Sequence, residues 1–147
     1  MPVYNHTGQV VADLERAKRF YTEVLGFTVW YDLELPDAAS AKLLCLEPPL
    51  DSMTSYLTLD GFVLELIQFR ADGATAPYQP RTFREPGLTH LSISVDNIKA
   101  TAEKAVEYGG EIIDESDVGV ALMIRDPDGQ LLELLTAGFP GSRPPRP

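Results

Sequence analysis

The sequence predicts an α+β chain made of two tandem βαβββ modules, and three observations lead there. The string Asp60-Gly-Phe-Val-Leu-Glu65-Leu returns as Asp128-Gly-Gln-Leu-Leu-Glu133-Leu. Ahead of each string stands a histidine in a short strand-like run, His6 in Tyr4-Asn5-His6-Thr7 and His90 in Leu88-Thr89-His90-Leu91-Ser92-Ile93, and the chain holds 2 histidines in all. Between histidine and string, each half carries one helix-like frame closed by glycine, Asp13 to Gly26 and Asp96 to Gly109. A repeat that preserves residue types and their order implies one structural plan used twice.

The elements follow in order. In the first frame Asp13 is a helix N-cap and Gly26 a stop, with Leu14, Ala17, Tyr21 and Val24 on one apolar stripe. In the second frame the stripe is Ile98, Ala102, Ala105 and Val106. Strand patterns occupy 27–33, 54–59 and 62–69 in the first half, then 111–115, 119–124 and 130–136 in the second. Asp60-Gly61 and Asp128-Gly129 sit where two-residue hairpin turns belong, because both central positions of such a turn favour positive φ. The first half is longer than the second, and residues 36–50 hold the excess. Ala38, Ala41, Leu44 and Cys45 would line a short helix there, ended by Pro48-Pro49, although residues 42–46 read equally well as a strand. The expected organisation is a single domain over residues 1–138, with module one at 1–70, a linker at 71–86 and module two at 87–138. Residues 139–147 form a Pro-rich tail.

Composition narrows the functional classes. Hydrophobic residues at 44% and charged residues at 23% are ordinary globular values. A formal net charge of −10 opposes binding to nucleic acid or to an anionic membrane surface. No apolar run approaches the length of a membrane span and no signal-peptide pattern opens the chain, so a cytoplasmic protein is expected. Cys45 is the single cysteine, which excludes an internal disulfide and argues against a thiolate zinc site; it reads as a small buried side chain.

Alternation along the strands puts Leu91, Ile93 and Val95 on one face, with His90, Ser92 and Ser94 on the other. Leu132 and Leu134 likewise share a face while Glu133 points away, and Glu65 between Leu64 and Leu66 repeats the arrangement. A single histidine or glutamate on a strand is ordinarily just a satisfied core or surface residue. Two of each, at matching places in a duplicated module, are not explained that way. A carboxylate among apolar neighbours is costly unless paired or bound to a cation, so His6, Glu65, His90 and Glu133 together ask for a metal.

The string Asp13-Leu-Glu-Arg-Ala-Lys-Arg-Phe-Tyr-Thr-Glu-Val-Leu-Gly-Phe27, the run Gly87-Leu-Thr-His90-Leu-Ser-Ile-Ser-Val95 and the segment Arg125-Asp-Pro-Asp-Gly-Gln-Leu-Leu-Glu133-Leu134 resemble the vicinal oxygen chelate superfamily of glyoxalases, bleomycin-resistance proteins and extradiol dioxygenases. The likeness is closest to glyoxalase I-like members and runs from Val3 to about Thr136. It implies that the two modules form a cup-shaped mixed β-sheet with helices on its outer face. One divalent ion, nickel, cobalt, manganese, iron or zinc, would be held by His6, Glu65, His90 and Glu133. The resemblance further implies a lyase or isomerase that abstracts a proton next to a carbonyl and stabilises a metal-chelated enediolate. Glu133 is the base implied by glyoxalase-type members and Glu65 its alternative, which nothing in the residues separates. The implied partner is a small substrate with vicinal oxygens, and the implied assembly a homodimer with Leu43, Leu46 and Phe139 as apolar contact surface. Whether the ligands meet within one chain or across two stays open.

Two other readings stand beside this one. A bleomycin-resistance-like protein would bind a drug or metabolite without catalysis, and a ring-opening or epimerase member would use a related site. Signatures for glutathione binding are weak. Arg70, Arg81 and Arg84 flank the segment leading to Gly87 and offer positive charge for a phosphate or carboxylate, or are ordinary solvated charges. Trp30 and Tyr56 read as core packing or dimer contact, with the cup lining as the alternative.

Overall fold

A computed structural model describes residues 1–138; Phe139 and the rest of the Pro-rich tail lie outside the described residues. Its contacts divide the chain into two compact units, Met1–Pro77 and Tyr78–Pro147.

The first unit runs β1 (Thr7–Val10), α1 (Leu14–Glu23), β2 (Thr28–Glu34), α2 (Asp37–Leu44), β3 (Ser52–Leu59) and β4 (Phe62–Phe69). Its four strands are ordered β1-β4-β3-β2. β1 lies parallel to β4, and the other pairings are antiparallel. The Asp13 carboxylate accepts from the Arg16 N–H at 2.9 Å, satisfying a donor that the first turn of α1 would leave unpaired. At the other end Gly26 takes φ +76°, and the Phe27 N–H returns to the Tyr21 carbonyl at 3.1 Å.

α1 packs on one face of this sheet. Ala17, Phe20 and Tyr21 are sealed from solvent, as are Leu57, Leu64 and Leu66 beneath them. Tyr21 meets both Phe20 and Phe27 edge-on at 5.6 Å. Burying a leucine of this kind contributes about 1.5–3 kcal/mol. Because strand side chains alternate, Glu65 between Leu64 and Leu66 is turned to the opposite face.

The inserted segment is a helix, as its alanines suggest, but it belongs to that opposite face. Ala41 gathers with Leu50, Phe69 and Ile67, and the last two share Glu65's side of β4. The buried positions are Ser40 and Ala41 rather than the expected Leu44 and Cys45. Cys45 is exposed, a correction to the expected burial: it is the C-cap, at φ 56°, and swings outward as the helix ends at Leu44, ahead of Pro48.

The second unit repeats the plan with β5 (Leu91–Val95), α3 (Ile98–Glu107), β6 (Glu111–Ile112), β7 (Ala121–Arg125) and β8 (Leu131–Thr136), ordered β5-β8-β7-β6. β5 is parallel to β8, as β1 is to β4. Ala102 and Ala105 of α3 and Leu122, Ile124, Leu132 and Leu134 of the sheet form the buried layer. Val106, expected on the same stripe, is half exposed. The cap of α3 is Asn97, its side-chain oxygen accepting from the Ala100 N–H at 3.0 Å. β6 stops at Ile112, and a 3-10 turn over Asp114–Ser116 replaces the rest of the expected strand.

The two hairpins differ where equal turns were expected. Asp60 and Gly61 take φ 51° and 82°, the conformation of a two-residue turn between β3 and β4. At the second site only Gly129 is left-handed, φ 92°, and the connection is the wider segment 126–130. Pro127 holds its own φ near −65°. The buried Asp126 carboxylate accepts from the N–H groups of Asp128 at 2.9 Å and Gln130 at 2.8 Å, which organises the loop from inside.

Candidate metal centre

Each unit brings its own histidine and glutamate together. His6 lies just ahead of β1 and His90 just ahead of β5, rather than inside the strands as the sequence suggested. In the first unit His6 Nε2 is 3.1 Å from Glu65 Oε2. In the second His90 Nε2 is 3.6 Å from Glu133 Oε2. The strand registers match: Glu65 pairs with Gly8 of β1 and with Tyr56 of β3. Glu133 pairs with Ser92 of β5 and with Met123 of β7. Gly8 and Ser92 follow their histidines at the same spacing. Within each unit the set stops at the pair, since among the described residues no group of three or more His, Cys, Asp or Glu gathers in a form that could hold a metal.

Both imidazoles are oriented by the residue before them. His6 Nδ1 lies 2.5 Å from Asn5 Oδ1, and His90 Nδ1 lies 2.8 Å from Thr89 Oγ1. An amide oxygen only accepts, so His6 Nδ1 carries the proton and Nε2 is the nitrogen turned to the carboxylate. In a neutral ring that nitrogen presents a lone pair to an anionic oxygen, an arrangement that a shared cation relieves. An aromatic ring braces each imidazole as well: Tyr56 meets His6 edge-on with centroids 5.6 Å apart, and Phe83 lies 5.7 Å from His90.

The donor chemistry fits a divalent ion. Imidazole nitrogen and carboxylate oxygen suit first-row transition metals. Two such ligands on one ion, at bonds of roughly 2.1 Å, stand about 3 Å apart at right angles and about 3.4 Å apart in a tetrahedron. The separation of 3.1 Å in the first unit falls in that range, and that of 3.6 Å in the second is slightly wider, the opening of a larger ligand–metal–ligand angle.

The two carboxylates are held differently. Glu65 is only 8% exposed, and its Oε1 accepts from the Tyr56 hydroxyl at 2.5 Å while Oε2 faces His6. Burial first, then the bond to Glu65, pushes the Tyr56 phenol far above its usual pKa, so it remains a donor. Tyr56 stacks on Tyr31 at 4.6 Å, whereas Trp30 is mostly exposed. Glu133 instead accepts from Ser92 at 2.6 Å on Oε2, the same oxygen that faces His90. Met123 stands across from it where the first unit has Tyr56, and a thioether has no proton to donate.

Of the three flanking arginines, Arg70 and Arg81 are engaged in structure. Arg70 pairs with Glu34 at 2.7 Å and Asp51 at 2.6 Å. Arg81 donates to the carbonyls of Leu88 at 3.0 Å and Pro86 at 2.7 Å. A cleft of about 130 Å³ in the second unit is lined by Tyr78, Phe83, Thr89, Arg125 and Gln130 among others, and Phe83 and Thr89 both touch His90.

Sequence reasoning singled out the pairs but missed Asn5, Thr89 and the Tyr56 clamp. The available signal for the first two was a polar residue immediately before each histidine. For Tyr56 there was none without the β3–β4 register.

Comparison with known proteins places the chain. A model of the Glyoxalase/Bleomycin resistance protein/Dioxygenase superfamily matches residues 3–134. The chain belongs to that superfamily. A lactoylglutathione lyase of Pseudomonas aeruginosa is 28% identical over 149 residues, covering 95% of this chain and 85% of the relative. A probable chloroplastic lactoylglutathione lyase of Arabidopsis thaliana is 29% identical over 90% of this chain, which spans only 35% of that longer relative. Among solved structures, a glyoxalase family protein of Bacillus cereus superposes with TM-score 0.76 at 16% identity, covering 90% of this chain and 92% of that one. The trypanothione-dependent glyoxalase I of Leishmania major gives TM-score 0.65 at 27% identity, over 89% and 84% of the two chains. Superfamily fold and two-module topology agree with the expectation from the sequence. Among the described residues no helix is long and apolar enough to cross a membrane.

Proposed function

We propose that this superfamily member is a divalent-metal-dependent lyase or isomerase that removes a proton from the carbon next to a carbonyl. The observation that carries the reading is the duplicated His–Glu pair, present in both units at the same strand register with Nε2 turned to a carboxylate oxygen. His6, Glu65, His90 and Glu133 form the ligand set, within one chain or across two copies. A divalent ion held there supplies Lewis-acid polarisation of the substrate carbonyl and its neighbouring oxygen.

The residues divide the remaining work. Asn5 and Thr89 fix the ring orientation of the histidines, and Tyr56 fixes Glu65. Glu133, whose two contacts fall on a single oxygen, keeps Oε1 for a substrate proton and is the general base. The names of the relatives favour a lyase and make S-lactoylglutathione the first compound to try. Purified protein is expected to hold one divalent ion per ligand set and to exchange the lactoyl α-proton in heavy water when loaded. Stoichiometric metal without any exchange would confine the protein to binding.

The working assembly in this reading is a homodimer. Leu43 and Leu46 stand 82% and 43% exposed at α2 and just beyond it, a surface that association would cover. Sedimentation at micromolar concentration should give twice the 16.2 kDa chain mass. A monomer throughout would remove the shared arrangement.

A further inference from the structure

The two pairs are equivalent in register yet clamped from different sides, and the difference assigns a role to Tyr56. Its hydroxyl donates to Glu65 Oε1 at 2.5 Å from the neighbouring strand β3. At the equivalent place in the second unit, Met123 has nothing to donate, and the hydroxyl comes instead from Ser92 on β5. Gly8, the counterpart of Ser92, has no side chain at all. A Cβ built on Gly8 would lie 3.4 Å from Glu65 Oε2 and 3.6 Å from Ile67 Cδ1, ordinary contact distances. Each glutamate is thus held by one hydroxyl, contributed once from β3 and once from the histidine's own strand.

We propose that Tyr56 is a positioning residue that fixes Glu65 as a pure metal ligand by engaging the oxygen that does not face His6. This rests on the metal-dependent reading above. With Oε1 tied to Tyr56 and Oε2 turned to His6, neither oxygen of Glu65 is available for substrate. Glu133 receives both its contacts on Oε2 and so differs in the one respect that a proton acceptor requires. Outer hydrogen bonds of this type usually change metal affinity by about 10–100-fold.

The experiment measures metal affinity by chelator competition, with manganese as the probe, alongside proton exchange at saturating metal. Tyr56→Phe keeps the ring that stacks on Tyr31 and removes only the hydroxyl. It is expected to weaken metal binding about 10–100-fold while exchange at saturating metal stays within a few-fold of the parent. Gly8→Ser in the Tyr56→Phe background offers a hydroxyl to Glu65 Oε2, as Ser92 does to Glu133 Oε2, and is expected to recover part of the lost affinity by holding the carboxylate from the other side. Gly8→Ala in the same background should recover none. Parent-like affinity in Tyr56→Phe, or equal recovery by Ser and Ala at position 8, overturns the proposal while the metal reading survives. A parent protein that takes up no divalent ion overturns the metal reading itself, and the proposal falls with it.

Discussion

Glu133→Gln is expected to lower proton exchange at the substrate α-carbon by about 10²–10⁴-fold, the usual contribution of a general base. The amide keeps the size of the side chain and one oxygen for the ion, but it does not accept a proton at neutral pH. Metal affinity should therefore fall much less than exchange. Glu65→Gln is the comparison, and it should be milder in exchange, because Glu65 is committed to His6 and Tyr56 on its two oxygens. An active Glu133→Gln protein with unchanged exchange would transfer the base to Glu65 or to another group. Parallel loss of metal and exchange would leave Glu133 with a ligand role alone.

His90→Ala is expected to weaken metal binding by more than the roughly 10–100-fold typical of an outer-shell change, since it deletes a donor atom rather than its support. The His90 side chain is 28% exposed and the buried layer of its unit lies on the other face of the sheet, so the fold should survive, as circular dichroism and thermal unfolding would show. His6→Ala should behave alike, because its pair stands at the same strand register. Metal as tight as in the parent, in either variant, would remove that histidine from the ligand set.

Much of this was legible in the sequence because duplication makes a pattern test itself. A single His–Glu spacing means little; the same order of histidine, capped helix and Asp-Gly-bounded strand occurring twice placed both pairs and predicted both βαβββ units. The alternation Leu64-Glu65-Leu66 located the glutamate's face, since period two needs no tertiary information. The misses share a physical origin. The Tyr56 clamp depends on which residue of β3 faces Glu65, a register that strand composition leaves undetermined. The side of the sheet that α2 covers was settled by Ala41, Leu50 and Phe69 finding one another across gaps in sequence. Asp128-Gly129 looked like a copy of Asp60-Gly61. Pro127 and the buried carboxylate of Asp126 select a wider loop there. Asp126-Pro127-Asp128-Gly129, one of the segments that carry the family resemblance, therefore builds a turn.

Arg81 and Gly87 together shape the approach to His90. The guanidinium lies 2.7 Å from the Pro86 carbonyl and 3.0 Å from that of Leu88, while Gly87 between them takes φ +134°. Any Cβ at position 87 would come within 2.8 Å of the arginine itself. The cation is cast into the bend that it shapes, held by those carbonyls and paired with the Glu85 carboxylate at 3.5 Å. A change at Arg81 therefore alters the path of the chain into His90 as well as the local charge.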